Sequence, residues 1–193
     1  LIGVTGTNGK TTVVGLAEQI SNSLGHTAIS AGTIGVFSKG VRVGDDFGNT
    51  TPSYIDLRKF IYRYQDNYQV LFFELSSHAL VQQRIFDLRL DGALWTSFSQ
   101  DHLDFHKTME GYFQAKLMIA TSALKAKLPL LLPARESALS ERVREAFSRV
   151  KICPTLEERG FQQVPLFFMP EYNRSNLELA LQINCELWGE LTE

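Results

Sequence analysis

The first twelve residues constrain the fold more than any other part of the chain. Leu1-Ile2-Gly3-Val4-Thr5 is an apolar run of strand length. It leads into the Gly-rich turn Gly6-Thr7-Asn8-Gly9 and then into Lys10-Thr11-Thr12. Val13, Leu16, Ala17, Ile20 and Leu24 follow at helical spacing, and Gly25 stands where a left-handed C-terminal cap belongs. A strand, a glycine turn and a helix in this order open an α/β domain.

The same alternation runs to the end. Strands are expected at Thr27–Ser30, Val70–Leu75, Ala93–Phe98, Leu128–Leu132, Lys151–Cys153 and Val164–Phe168. Helices are expected at Tyr54–Tyr64, Tyr112–Leu124, Ser140–Val150 and Ser175–Trp188, the last capped by Gly189. The stretch Gly32–Thr51 is rich in Gly, Thr and Asp, with a hairpin expected around Lys39-Gly40. Val70–Leu75 and Ala93–Phe98 are continuously apolar, as strands buried on both faces are. The pattern predicts one α/β domain with a mainly parallel sheet flanked by helices, and ligands at the carboxyl ends of its strands.

Composition narrows the function classes. The chain has 193 residues and a net charge of −2, so no global basic field recruits nucleic acid. No apolar run approaches the ~20 residues of a spanning helix. The N-terminus lacks the basic and cleavage-site features of a signal peptide, and it begins inside a strand, as a piece of a longer protein would. A cytoplasmic setting is expected. Cys153 and Cys185 form no CxxC pair; two buried thiols are the simpler expectation, with a disulfide as the alternative.

Thr5–Thr12 has the chemistry of a phosphate-binding loop. Glycines let backbone N–H groups close around phosphate oxygens, and the helix N-terminus adds partial positive charge. Lys10 can reach the β- and γ-phosphates, and the Thr11 hydroxyl can ligate Mg²⁺. Gly6, Thr7, Asn8, Gly9 and Thr12 complete the cradle. The common G-x-x-x-x-G-K-[ST] pattern is not met, because Val4 stands where its first glycine would be. A plain Gly-rich turn with a surface lysine is the alternative.

Glu74 ends the apolar strand Val70–Phe73, where a carboxylate is costly to bury unless paired or metal-bound. Beside a phosphate loop, that favours Mg²⁺ ligation over a salt bridge. Asp101-His102-Leu103-Asp104-Phe105-His106 follows the next strand and gathers two His and two Asp within six residues. Its spacing matches no zinc motif, and capping roles stand beside a catalytic one.

These strings together resemble the Mur ligase family. Gly3–Thr12 resembles its phosphate loop, a variant shared with folylpolyglutamate synthases. Asp101–His106 with Tyr112 and Ala115-Lys116 is similar to the family segment that holds a second metal through a histidine and a lysine carbamylated by CO₂; His102 and Lys116 stand at those positions. Asn49-Thr50-Thr51-Pro52 and Glu74-Leu75-Ser76-Ser77-His78-Ala79-Leu80-Val81-Gln82-Gln83-Arg84 resemble the substrate-contacting strings of the MurE-type branch. There Asn49, Thr50, Thr51, Ser76, Gln82 and Arg84 would hold the UDP-muramoyl-dipeptide. Tyr172-Asn173-Arg174-Ser175-Asn176, ahead of the last helix, resembles the Asn-x-x-Asn segment beside the adenine, which implicates Asn173 and Asn176; helix capping is the alternative role.

The resemblance implies a P-loop-type central domain that binds ATP and Mg²⁺. It implies a ligase of peptidoglycan precursor synthesis, with Lys10, Glu74, His102 and Lys116 as its catalytic residues. A carboxylate of UDP-N-acetylmuramoyl-L-Ala-D-Glu would be phosphorylated and then attacked by meso-diaminopimelate or L-lysine. Thr11, Glu74, His102 and carbamylated Lys116 would be the metal ligands. The family's N-terminal uridine-binding and C-terminal amino-acid-binding domains have no counterpart in these 193 residues, so the chain is expected to bind Mg·ATP without completing ligation. Leu132-Pro133-Ala134-Arg135 replaces an Asn-x-Asp-Asp element of the family, and the stretch 128–165 looks abbreviated, with part of the usual sheet expected to be missing. A folylpolyglutamate synthase-like ligase and a nucleotide-binding module without ligase chemistry are the competing functions.

Overall fold

A computed structural model of the chain describes residues 1–44, 47–120 and 128–189. Its sheet has eight strands: β1 (Ile2–Thr5), β2 (Ala28–Gly32), β3 (Gly35–Ser38), β4 (Val41–Gly44), β5 (Val70–Glu74), β6 (Gly92–Trp95), β7 (Leu130–Pro133) and β8 (Val150–Cys153). Their order is β4-β3-β2-β5-β1-β6-β7-β8. The pairs from β2 through β8 are parallel, and β3 and β4 add an antiparallel edge. The expected hairpin is that edge: Lys39 (φ 54°) and Gly40 (φ 70°) form its turn, both left-handed as a two-residue hairpin requires.

The helices are α1 (Lys10–Ser23), α2 (Tyr54–Tyr64), α3 (Ser77–Val81), α4 (Leu103–His106), α5 (Met109–Met118), α6 (Ser137–Ala146) and α7 (Glu171–Trp188). Alternate strand residues feed two cores. Phe73, Trp95 and Leu132 join Leu57, Phe60 and Phe113 on one face. Val4, Phe72 and Leu94 join Val13, Ala17, Leu179 and Ile183, from α1 and α7, on the other. Both faces of the central strands are thus dry, which is why those strands read as unbroken apolar runs. Phe72 and Trp95 are fully buried, and each such side chain contributes about 1.5–3 kcal/mol of transfer free energy.

Several expectations need correction. Val164–Phe168 is not a strand. It holds a short 3₁₀ turn, Leu166–Phe168, behind Pro165, with Leu166 85% exposed; proline donates no ladder bond, and β8 stands at the sheet edge. The last helix begins at Glu171 rather than Ser175, so Asn173 and Asn176 lie inside its first turns rather than ahead of it. The helix expected at Ser140–Val150 runs Ser137–Ala146, and Val150 opens β8. The helix expected at Tyr112–Leu124 starts earlier, at Met109, behind the Thr108 cap; the part of that expectation on 121–127 lies outside the described residues. The stretch 128–165 supplies β7, α6 and β8, the two strands and the helix expected there. Both cysteines are free thiols, but only Cys153 is buried; Cys185, on α7, is half-buried. Among the described residues, no helix is long and apolar enough to cross a membrane.

Candidate active site

The register brings three strand ends together. Val4 of β1 pairs with Glu74 of β5, and Thr5 pairs with Trp95 of β6. The loop after β1, the carboxylate ending β5 and the segment 96–99 after β6 therefore converge.

The loop enters α1 at Gly9, whose backbone is left-handed (φ 87°). No side chain caps this helix, and no acid occupies its first turn. Its first N–H groups and its positive end are thereby left for an anion. Close packing demands the glycines: a Cβ on Gly6 would stand 1.9 Å from Thr96 Oγ1, and one on Gly9 would stand 2.3 Å from Asn176 Oδ1. The loop is braced from β6. Thr7 N–H donates to Ser97 O (2.9 Å), Asn8 N–H donates to Ser97 Oγ (3.0 Å), and the Thr96 hydroxyl donates to Asn8 O. The Thr7 hydroxyl accepts from Ser99 N–H (3.1 Å) and lies 3.3 Å from the Tyr112 hydroxyl.

Two lysines meet at one carbonyl. Lys10 Nζ donates to Gly6 O and Thr7 O, both at 2.9 Å. Lys116 Nζ donates to the same Gly6 O at 2.7 Å and sits 4.5 Å from the centre of the Tyr112 ring. Burial lowers the pKa of Lys10, with the Glu74 and Asp101 carboxylates opposing. Burial pushes Lys116 down to about 6, helped by the charge of Lys10 and opposed by Asp101. Lys116 is 1% exposed, although the sequence allowed a solvent-facing lysine there.

Glu74 is buried and held by three donors. Oε1 accepts from the Thr11 hydroxyl and from Thr33 N–H, each at 2.9 Å, and Oε2 accepts from the Thr33 hydroxyl at 3.1 Å. Among the described residues no three His, Cys, Asp or Glu side chains group to hold a metal ion. A cation at Glu74 would therefore complete its shell with the Thr11 hydroxyl, water and phosphate oxygens, a hard-oxygen set suited to Mg²⁺.

His102 is placed beside this cluster rather than in it. Its backbone is left-handed (φ 51°), its ring lies 4.9 Å from that of His78 and 6.0 Å from Tyr112, and its Nε2 is 3.4 Å from Asp101. His106 Nε2 is 2.9 Å from Ser77 Oγ. Burial lowers the pKa of both His78 and His106, and neighbouring imidazoles add to the effect.

The residues expected on the substrate side form a brace of their own. Thr51 Oγ1 donates to Glu74 O (2.9 Å) and accepts from Ser76 N–H (3.0 Å). Arg84 donates to Thr51 O (2.7 Å) and grips Gln82 Oε1 through two nitrogens (2.9 and 2.7 Å). Ser76 Oγ caps α3. Asn49 is exposed, and Thr50 reaches Thr33 through its hydroxyl at 3.1 Å.

A cavity of about 710 Å³ opens beside the loop, lined by Asn8, Gly9, Thr12, Tyr172, Asn173 and Asn176, with Arg135 and Glu136 on its β7 side. This is the size of a small-ligand cleft. Asn173 donates to Phe167 O at 2.7 Å, so part of its amide is committed to the fold. Sequence reasoning missed Thr33, Thr96, Ser97 and Arg135. The last is tied to Glu157 (2.8 Å) and Glu178 (3.3 Å), and none of the four stands in a motif.

Comparisons with known proteins agree with this architecture. The pattern of the Mur ligase middle domain matches residues 4–179. A UDP-N-acetylmuramoyl-L-alanyl-D-glutamate--2,6-diaminopimelate ligase of Rickettsia bellii is 47% identical over 130 residues, which cover 64% of this chain and 27% of that protein. A ligase of the same name from Lawsonia intracellularis is 35% identical over 202 residues, covering 97% of this chain and 39% of that protein. A solved structure carrying that ligase name superposes with a TM-score of 0.73 at 23% identity, over 96% of this chain and 43% of that one. This chain thus spans between about a quarter and two-fifths of its relatives' length.

Proposed function

Because this chain belongs to the Mur ligase family as a middle domain, we propose that it is the ATP-binding part of a ligase that adds a diamino acid to UDP-N-acetylmuramoyl-L-Ala-D-Glu. The observation that carries this reading is the uncapped start of α1 with Lys10 at the phosphate loop, beside a buried Glu74. The relatives' names favour 2,6-diaminopimelate over lysine as the amine and a muramoyl-dipeptide over a folate as the acceptor.

In this reading the α1 N–H groups and Lys10 bind the β- and γ-phosphates of ATP. Lys10 leaves the Gly6 and Thr7 carbonyls to do so. Asn173 and Asn176 flank the adenine. Thr11 and Glu74 would hold one Mg²⁺, and His102 with Lys116 a second; bound there, Mg²⁺ would neutralise charge on the transferred phosphoryl group. The γ-phosphoryl passes to the D-Glu carboxylate, ADP leaves, and the amine displaces phosphate to form the amide. Asn49, Thr50, Thr51, Ser76, Gln82 and Arg84 orient the muramoyl-dipeptide. The amine form of Lys116, favoured by burial, is the form that adds CO₂ to give a carbamate and a proton, which supports carbamylation at that position. Further domains of the full-length protein supply the uridine and amino-acid contacts, so the 193-residue chain does not complete ligation by itself.

Calorimetry of Mg·ATP binding to the wild type and Lys10→Ala tests the site. Lys10→Ala is expected to weaken binding by about 1 kcal/mol or more, as loss of a charge-assisted contact does. Equal binding by both proteins would sink the phosphate-loop reading.

A further inference from the structure

We propose that Thr33 is a positioning residue: it fixes the Glu74 carboxylate for metal binding and ties it to the Asn49–Thr51 loop. The inference rests on the reading of Glu74 as a metal ligand and deepens it.

Of the three donors on Glu74, Thr33 supplies two, its N–H on Oε1 and its hydroxyl on Oε2. The third, Thr11, stands in the proposed ligand set itself. Thr33 therefore holds the carboxylate from outside the metal shell and touches both oxygens. Gly32 beside it makes the approach possible: a Cβ there would lie 2.0 Å from Glu74 Oε1. The end of β2 is thus built around this carboxylate, with no room for a side chain at 32 and two donors at 33.

The Thr33 hydroxyl also lies 3.1 Å from Thr50 Oγ1. A hydroxyl has one proton, and an ionised carboxylate only accepts. Its single proton is therefore shared between Thr50 Oγ1 and Glu74 Oε2, donated to one at a time, while the Thr33 N–H stays on Oε1. Thr33 thus stands between the loop and the metal ligand, with its hydroxyl in reach of both. Thr51 anchors the same loop to the Glu74 carbonyl. A shift of Glu74 is transmitted to the loop through both contacts.

The test is Mn²⁺ binding to the full-length protein with ATP present, followed by the electron-spin resonance of bound Mn²⁺, in wild type, Thr33→Val, Thr33→Ser and Thr50→Val. Thr33 is exposed, so valine leaves no buried cavity, and thermal unfolding checks that each variant is folded. Thr33→Val is expected to weaken Mn²⁺ about five- to tenfold, as loss of a hydrogen bond to a charged group does, while metal-free ATP affinity is unchanged. Thr33→Ser, which keeps the hydroxyl, restores Mn²⁺ affinity, and Thr50→Val gives a smaller loss. Wild-type Mn²⁺ affinity in Thr33→Val, or an equal loss in Thr33→Ser, overturns the proposal and leaves the phosphate-loop reading standing. Absence of ATP-dependent Mn²⁺ binding in the wild type overturns both.

Discussion

Replacing Lys116 by methionine should stabilise the fold while removing the amine that the proposed chemistry uses. The amine is 1% exposed, and burial moves its pKa from 10.5 to about 6. At pH 7.5 the folded protein holds a neutral amine that the unfolded chain would protonate. At about 1.4 kcal/mol per unit, the gap of roughly three units costs the native state about 4 kcal/mol. Methionine forfeits the bond to Gly6 O, worth about 1 kcal/mol, but fills similar volume without that penalty. A net gain of about 2 kcal/mol or more at pH 7.5 follows. The sign of the pH dependence is a sharper test. Above pH 10.5 the amine is neutral in both states and the penalty vanishes. Between 10.5 and about 6 the unfolded chain binds the extra proton, so native stability falls as pH falls. Urea unfolding of both proteins at pH 7, 8 and 9, in CO₂-free buffer without nucleotide, isolates this term, because all other groups cancel in the difference. The advantage of Lys116→Met should shrink by about 1.4 kcal/mol per pH unit. A difference that stays constant from pH 7 to 9 would refute the buried neutral amine. It would also remove the physical support for carbamylation.

Gly32→Ala should displace Glu74 without straining the backbone, because Gly32 lacks a left-handed φ while its new Cβ would collide with Oε1. ATP-dependent Mn²⁺ binding is expected to fall about tenfold or more, as loss of a charged ligand does; unchanged binding would mean that Glu74 is not the ligand. The thiols should separate in native labelling with a disulfide reagent. Cys185 is half-buried and reacts at once, whereas burial pushes the Cys153 thiol up and leaves it to react at the rate of unfolding. Two fast thiols would contradict the packing of β8 against α7.

What the sequence made legible was local. The phosphate loop is contiguous, and its glycines and lysine carry their meaning in their order. The central strands announce themselves because both faces are dry, so Val70–Phe73 could be read without knowing what covers it. The start of α7 carries a signal that the apolar spacing from Ser175 onward does not use: Pro170 and Glu171 form a proline–acid entry of the kind that begins helices. Lys116 gave no comparable signal. Helix α5 buries Tyr112, Phe113, Ala115, Lys116 and Leu117 and exposes only Glu110 and Gln114, too narrow a polar edge for an inward lysine to stand out against. The Thr33–Glu74 pair is harder still, since its partners lie 41 residues apart and meet only because β2 and β5 are neighbours in the sheet. A reading by motif finds groups that touch ligands and misses the groups that hold them. In this site Glu74 was visible and Thr33 was not, although the carboxylate is held by Thr33 at both oxygens.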